Sequence, residues 1–417
     1  MSKRVLMVLS LVLVLLVSLS TVSMAKKVLT INSYISDPVP KEAFEDVIKA
    51  FEEAHPDIDV RVSTTAHEDF KKALRIWLSS DNPPDVITWF AGNRAKYFIN
   101  KGLIMAITDV WEEADLYNKF PRAFRSISFV NGKAYFLPYN WYWWGMFYRK
   151  SIFDKYGLEE PRTWDEFLDV CETLKQNGIT PITIGTKYRW TATGWFDYLN
   201  MRVNGPEFHI RLMEGKEKYN DPRVKKVFEY WRQLLDRGYF VDNAAAYSWQ
   251  EGVRFMVKGE AAMYLMGQFI LDAVPEEVAK DLDFFRFPII NEDVPIGEDT
   301  PTDGFMIPKK AKNPELAKEF LKFLASREGQ MIFIEKTGRI GVNNEIPMDS
   351  YPPLTQKGVK MIQGTDALAQ FYDRDTPPTM ADKGMNGLMN FWAYPDQIDK
   401  ILDNLERQRQ MIFSEQE

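Results

Sequence analysis

Between residues 28 and 89 the chain alternates short strand-like runs with amphipathic helical stretches, and nothing else in the sequence restricts its fold as strongly. Residues 28–32 read as a strand. Phe44, Val47, Ile48 and Phe51 then share one helical stripe that ends near His55-Pro56. Residues 58–62 alternate as a second strand. A second helix carries Phe70, Leu74, Trp77 and Leu78 up to an Asp81-Asn82-Pro83-Pro84 breaker, and residues 85–89 read as a third strand. Strand–helix–strand–helix–strand is the pattern of a parallel sheet with helices on its faces, so the expected class is α/β.

Further along, local signals mark more helices. Thr163 with Glu166, and Ser248 with Glu251, have the capping-box spacing. Asp221 and Asn313 each precede a proline at the first helical position. Gly178 and Gly238 sit where helices should stop. Short strands are expected at 261–265 and 303–307. No internal repeat, low-complexity tract or Pro/Gly-rich linker interrupts the chain.

The first 25 residues are expected to lie outside the fold. Lys3 and Arg4 form a basic start, residues 5–19 an apolar run, and Ser23 and Ala25 supply small residues at −3 and −1. The apolar run is shorter than the ~20 residues that span a bilayer. A cleavable signal peptide and export to the periplasm or the outer space are therefore expected, with an uncleaved anchor as the alternative. No Cys stands just after the apolar run, so no lipid attachment is expected.

Removing 25 residues from 417 leaves 392, with 50 basic against 59 acidic side chains. That balance disfavours nucleic acid and anionic membranes, which need basic patches. The length exceeds what one hydrophobic core usually serves, so two lobes are expected. Without a flexible linker, the chain should cross between them more than once. Cys171 is the single cysteine, so no internal disulfide can form; its helical neighbours Phe167, Val170 and Leu174 mark it as a core filler.

The run Pro138-Tyr139-Asn140-Trp141-Tyr142-Trp143-Trp144-Gly145-Met146-Phe147-Tyr148 holds seven aromatic side chains in eleven residues. Such a segment suits a buried strand, and equally a surface covered by something flat, apolar on its faces and polar at its edges, such as a pyranose ring. Strand parity would send Tyr139, Trp141 and Trp143 to the core and Asn140, Tyr142 and Trp144 to a ligand.

Catalytic signatures are scarce. The chain has no GxSxG, HExxH, CxxC, phosphate loop or GxGxxG, and only three histidines. His55 and His209 read as surface residues, while His67 opens a helix at a loop and is a candidate ligand contact. So few His and one Cys make a metal site improbable, and neither metal nor other cofactor is expected. A glycoside hydrolase would need two carboxylates ~5–9.5 Å apart, and nothing in the residue order selects such a pair.

Seven segments, in order, resemble the family 1 extracellular solute-binding proteins of carbohydrate ABC transporters, a group that includes the maltose-binding proteins. They begin with Phe51-Glu52-Glu53-Ala54-His55-Pro56-Asp57-Ile58, then Pro84-Asp85-Val86-Ile87 and Gly132-Lys133-Ala134-Tyr135-Phe136-Leu137-Pro138-Tyr139-Asn140. Pro161-Arg162-Thr163-Trp164-Asp165-Glu166-Phe167 and Phe255-Met256-Val257-Lys258-Gly259-Glu260-Ala261-Ala262-Met263 follow. The series closes with Lys312-Asn313-Pro314-Glu315-Leu316-Ala317-Lys318-Glu319-Phe320-Leu321 and Ser326-Arg327-Glu328-Gly329-Gln330.

The resemblance implies a two-lobed periplasmic-binding-protein fold of type II, each lobe a sheet flanked by helices, with the ligand cleft between. Lobe 1 would be 26–139 plus 284–340 and lobe 2 would be 142–283 plus 341–417, with hinge crossings near 140, 284 and 340. It implies a monomeric, non-enzymatic receptor that delivers a sugar to the membrane permease subunits of an ABC importer.

Candidate contacts follow residue by residue. Tyr142 matches a maltose-family position that carries an acidic contact, Trp89 a cleft tryptophan and Phe269, beside Gln268, a stacking aromatic. Asn93 lies, with Arg94, near that family's Asp-Arg pair, and Asp303 matches a polar cleft position of monosaccharide binders. Tyr34, Trp190 and Trp392 fit the rule that open α/β sheets bind at strand ends and adjoining loops. Together with His67, Asn140 and Trp144 they complete the expected site, while Trp164, Tyr230 and Trp231 are left to the core. Two other readings stay open: a secreted glycan-active hydrolase, or the same fold holding a polyol, a peptide or an acidic sugar gripped by Arg94, Arg189 or Arg374.

Overall fold

A computed structural model describes residues 26–414, so the expected signal peptide lies outside the described residues. The molecule is a mixed α/β fold built on two main sheets flanked by helices. Strands β1 (Lys27–Ser33), β2 (Ile58–Thr64) and β3 (Val86–Phe90) pair in parallel, as the opening alternation predicts. The intervening helix Pro38–Ala54 starts with proline in its first turn and buries Ala43, Phe44, Val47, Ile48 and Phe51, the stripe read from the sequence.

Later strands complete the two sheets. The hairpin β4 (Phe129–Val130) and β5 (Lys133–Ala134) leads into β6 (Leu137–Trp141), and β7 (Trp144–Arg149) follows after two linking residues. Next come β8 (Thr180–Ile182), β9 (Ala261–Gly267), β10 (Leu282–Phe285), β11 (Gly297–Asp299), β12 (Thr302–Met306), β13 (Ile340–Gly341) and β14 (Ala367–Ala369). The first sheet has the order β13-β6-β12-β3-β1-β2 and the second β10-β7-β9-β8, while β11 pairs with β14 alone.

Three connections carry the chain between the sheets. Tyr142 and Trp143 link β6 to β7, and the stretch after β10, by way of β11 and residues 300–301, leads to β12. The third follows β13, because the helix Pro353–Gln363 packs its Gly358 against Trp143 and accepts Arg286 at Met361 O, 2.5 Å away. The boundary expected near 284 falls inside β10, which pairs with β7 over its whole length.

Two local features aim side chains toward the junction. Asp303 opposes Asn140 while Gly304 opposes Pro138, so Tyr139 is the extra residue of a bulge. A bulge bends its strand and re-aims neighbouring side chains. Gly304 is obligatory there, since a Cβ would stand 2.0 Å from Leu137 O. β6 stops at Trp141, yet the parity expected across the aromatic run holds for Tyr139 and Trp143, which are buried, and for Tyr142 and Trp144, and departs at the half-buried Trp141 and at Asn140, held mid-sheet. Trp143 enters the core at 0 % exposure, against Phe284 at 5.3 Å.

Both expected capping boxes form, at Thr163 and Ser248. Cys171, Trp164 and Trp231 are buried, as expected, and Tyr230 is half-buried. His209 is not a surface residue. It sits on the inward face of the helix Pro206–Met213, fully buried with its Nδ1 3.0 Å from Asn200 Nδ2, and burial pushes its pKa down to about 3. The charged neighbours that made this stretch look exposed point the other way on the same helix.

Candidate functional site

Where the two sheets meet, a small cavity of about 100 Å³ opens between the end of β1, the β6–β7 link and a segment near residue 374. Its aromatic wall is built from the second sheet and its neighbours. Trp144 stacks on Phe371 with ring centroids 4.5 Å apart and planes at 26°. Phe269 meets Tyr142 edge-on at 5.3 Å and Trp249 at 5.1 Å, and Trp190 stands perpendicular to Trp144 at 6.1 Å. From beside the first sheet come Tyr34, just past β1, and His67, at the start of the helix His67–Ser79, with rings 4.8 Å apart.

A polar network shares the cavity with these rings. Tyr34 Oη donates to Asp303 Oδ1 at 2.8 Å, and Arg374 Nη1 donates to the same oxygen at 2.9 Å. Arg374 Nη2 donates to Tyr142 Oη at 2.8 Å. Lys71 Nζ donates to Asp373 Oδ2 at 2.8 Å, with Arg94 Nη1 at 3.7 Å, and Arg339 Nη2 reaches Asp272 Oδ2 at 3.1 Å. Each cation lining the cavity, Lys71, Arg339 and Arg374, therefore has its own carboxylate.

Burial and these partners set the protonation states. Burial works to raise Asp373, but Lys71, Arg94 and Arg374 outweigh it and hold the carboxyl at about 2. Burial, helped by the Asp303 charge, pushes the Tyr34 phenol well above its usual value, and burial raises Tyr142 too. His67 is driven well below its usual value by burial and by Lys71, so its ring is neutral. Asp375 rises to about 7 through burial, although the Asn93 backbone N–H donates to it at 3.2 Å. His67 Nε2 and Trp144 Nε1 are buried with no hydrogen-bond partner.

Seven of the residues expected from the sequence line this cavity: Tyr34, His67, Tyr142, Trp144, Trp190, Phe269 and Asp303. Five lie elsewhere. Trp89 is fully buried behind the first sheet, stacked on Phe90 at 4.2 Å and on Phe70. Asn93 uses its side chain to hold Asp375 O at 2.8 Å. Asn140 is buried mid-sheet between Asp303 and Gly341, because its strand neighbours occupy both flanks. Gln268 turns from its neighbour Phe269 to donate to Gly338 O and to Thr355 Oγ1. Trp392 packs on Phe240 at 4.6 Å and Trp231 at 5.8 Å.

Sequence reasoning passed over Lys71, Trp249, Arg339, Phe371 and Asp373. Arg374 was weighed only as a grip for an acidic ligand. Trp249 had a usable signal, since a capping box places it in the first turn of a helix, at a loop-to-helix junction. Phe371, Asp373 and Arg374 had none, because their segment, with the short helix Tyr372–Asp375, carries no strand-end or cap pattern.

Comparison with known proteins agrees with this architecture. Residues 37–331 match the family model of the bacterial extracellular solute-binding proteins. Two uncharacterized ABC transporter extracellular-binding proteins of Pyrococcus horikoshii are similar. One is 31% identical over 78% of this chain and 74% of its own length, the other 30% identical over 88% and 84%. Among solved structures, the bacterial solute receptor AcbH is 33% identical with a TM-score of 0.88, covering 93% of this chain and 99% of that one. A chitin oligosaccharide binding protein, at 20% identity and a TM-score of 0.85 over 93% and 100% of the two chains, shares the fold. The chain belongs to the bacterial extracellular solute-binding family, whose members are exported, non-catalytic components of ABC transporters.

Proposed function

We propose that this member of the extracellular solute-binding family captures a small neutral sugar between two lobes and delivers it to an ABC importer permease. The two lobes correspond to the two sheets, 27–141 with 302–341 and 144–299 with 353–414, joined by the three connections. The observation that carries the reading is the cavity lining itself: aromatic rings, most of them from the second sheet's side, share it with a charge-balanced polar network drawn from both lobes. Aromatic faces cover the apolar side of a pyranose, and fixed hydrogen-bonding groups replace water around its hydroxyls.

Charge decides between the neutral and acidic versions. An anionic sugar would need a spare cation, and Lys71, Arg339 and Arg374 are each already paired. Inserting a carboxylate would break one of these pairs or leave the new charge buried without a partner, at a cost of several kcal/mol. AcbH is described as having an exclusive substrate preference for β-D-galactopyranose, which makes that sugar the first ligand to try.

Thermal shift followed by titration calorimetry tests this, with hexoses and pentoses compared against disaccharides and uronic acids. A ligand at about 100 times its Kd should stabilise the protein by about 2.7 kcal/mol. Stabilisation by a neutral monosaccharide and not by its uronate is expected. Absence of binding by every sugar would sink the reading, and tighter binding of the uronate would overturn its neutral form.

A further inference from the structure

Arg374 is 8 % exposed and cannot turn freely: Asp303 Oδ1 holds one arm of its guanidinium, and the Phe90 ring lies 4.8 Å from its centre. A guanidinium is always protonated and has donors only, in a fixed planar fork. Its second arm must therefore donate to Tyr142 Oη, 2.8 Å away. Among the described residues this is the sole hydrogen bond of that hydroxyl, so its own hydrogen has no protein acceptor. On the other arm of the same guanidinium, the carboxylate of Asp303 can only accept. Its Oδ1 is taken by Tyr34 and Arg374, while its Oδ2 makes no protein hydrogen bond.

We infer that Arg374 makes the Tyr142 hydroxyl an obligate donor toward the solute, so this side of the cavity selects an oxygen that accepts while Asp303 selects a hydroxyl that donates. The inference rests on the sugar reading above and adds a polarity to it. Arg374 acts here as a positioning residue. Its charge is spent on Asp303, and what it passes to the ligand is the direction of one hydroxyl. Phenol burial keeps the Tyr142 proton in place, since its pKa lies above the usual value.

Deoxy and fluoro analogues separate the two roles. A fluorine accepts weakly and cannot donate, whereas a deoxy position does neither. With the mature protein and its best monosaccharide, calorimetry of each monodeoxy and monofluoro analogue should find one ring position where fluoro binds about tenfold more tightly than deoxy, roughly one hydrogen bond. At the position facing Asp303, both analogues should bind about 100-fold more weakly than the parent, with no fluoro advantage.

Arg374→Lys keeps a cation for Asp303 but loses the fork, and should erase the fluoro advantage at the first position. Tyr142→Phe should erase it as well, and serves if the lysine variant does not fold. Absence of any fluoro advantage in the wild type, or its survival in either variant, would overturn the inference while leaving sugar binding intact. Failure of every sugar to bind would instead overturn the carbohydrate reading, and this inference with it.

Discussion

Arg374 Nη1 lies 2.9 Å from Asp303 Oδ1, tying a segment near the C-terminus to the start of a strand in the first sheet. The two side chains are 10% and 13% exposed, so neither charge is well solvated without the other. Arg374→Met should destabilise the protein by about 3 kcal/mol, because it leaves a carboxylate nearly buried without its partner. Urea unfolding of the variant at neutral pH measures this, and a change below about 1 kcal/mol would mean the pair is solvated as a surface bridge is.

Asp375 gives the protein a pH dependence of unusual sign. Its folded pKa, about 7, is raised above the ordinary carboxylate value, so the folded state holds a proton that the unfolded state releases. Its penalty is absent below the unfolded pKa near 3.9, grows as pH rises through the window, and levels off above about 7. Asp375→Asn keeps an oxygen for the Asn93 N–H and should be increasingly more stable than wild type from pH 4 to 7. Denaturation midpoints across that range check the slope, and parallel curves would remove the effect.

Asp373 behaves in the opposite sense. Its folded pKa is held at about 2, below the unfolded value, by Lys71, Arg94 and Arg374 acting against burial. Its contribution is fully present above about pH 4 and is lost as pH falls through 2. Asp373→Asn should therefore destabilise the protein at pH 7, and the difference from wild type should shrink in acid unfolding experiments.

Trp144 and Trp190 should separate folding from binding. Trp144 is 2 % exposed and stacked on Phe371, so Trp144→Ala should cost about 3–5 kcal/mol and abolish ligand binding. Trp190 is half-buried at the cavity edge. Trp190→Ala should change stability by about 1 kcal/mol or less while weakening sugar affinity about tenfold or more. Calorimetry alongside thermal melts gives both readings for each variant.

Gly92 marks the close approach of the two halves. Its φ is +109°, and an added Cβ would stand 2.5 Å from Arg374 O. Gly92→Ala should destabilise by about 1–3 kcal/mol and weaken ligand affinity, since the 371–375 segment would have to withdraw from the cavity. Unchanged affinity in a folded variant would show that the approach is not needed for binding.

Much of this molecule was legible residue by residue. Parallel strands, helix stripes and both capping boxes depend on neighbours within a few positions, so periodicity carries them. Tyr34 was expected from its place after a strand, Trp144 from strand parity, Tyr142 from parity and the family resemblance, and Phe269 from the resemblance, and all four line the cavity. Trp89, expected from the family resemblance, and Asn140, expected from parity, lie outside the cavity, because which face of a strand meets it depends on what packs behind that strand. Phe70 and Phe98 claim Trp89, while β12 and β13 enclose Asn140.

The sequence by itself determined the α/β class and the aromatic run at 139–148, because both are written in local spacing, while the family resemblance implied the place of that run at a crossing. Only the tertiary structure decided which charges meet. Asp303 and Arg374 are 71 residues apart, and Lys71 and Asp373 are 302 apart. No local pattern couples such positions. Their pairing exists because three chain crossings bring a C-terminal segment against the first sheet, where a buried charge without a partner would be too costly to keep.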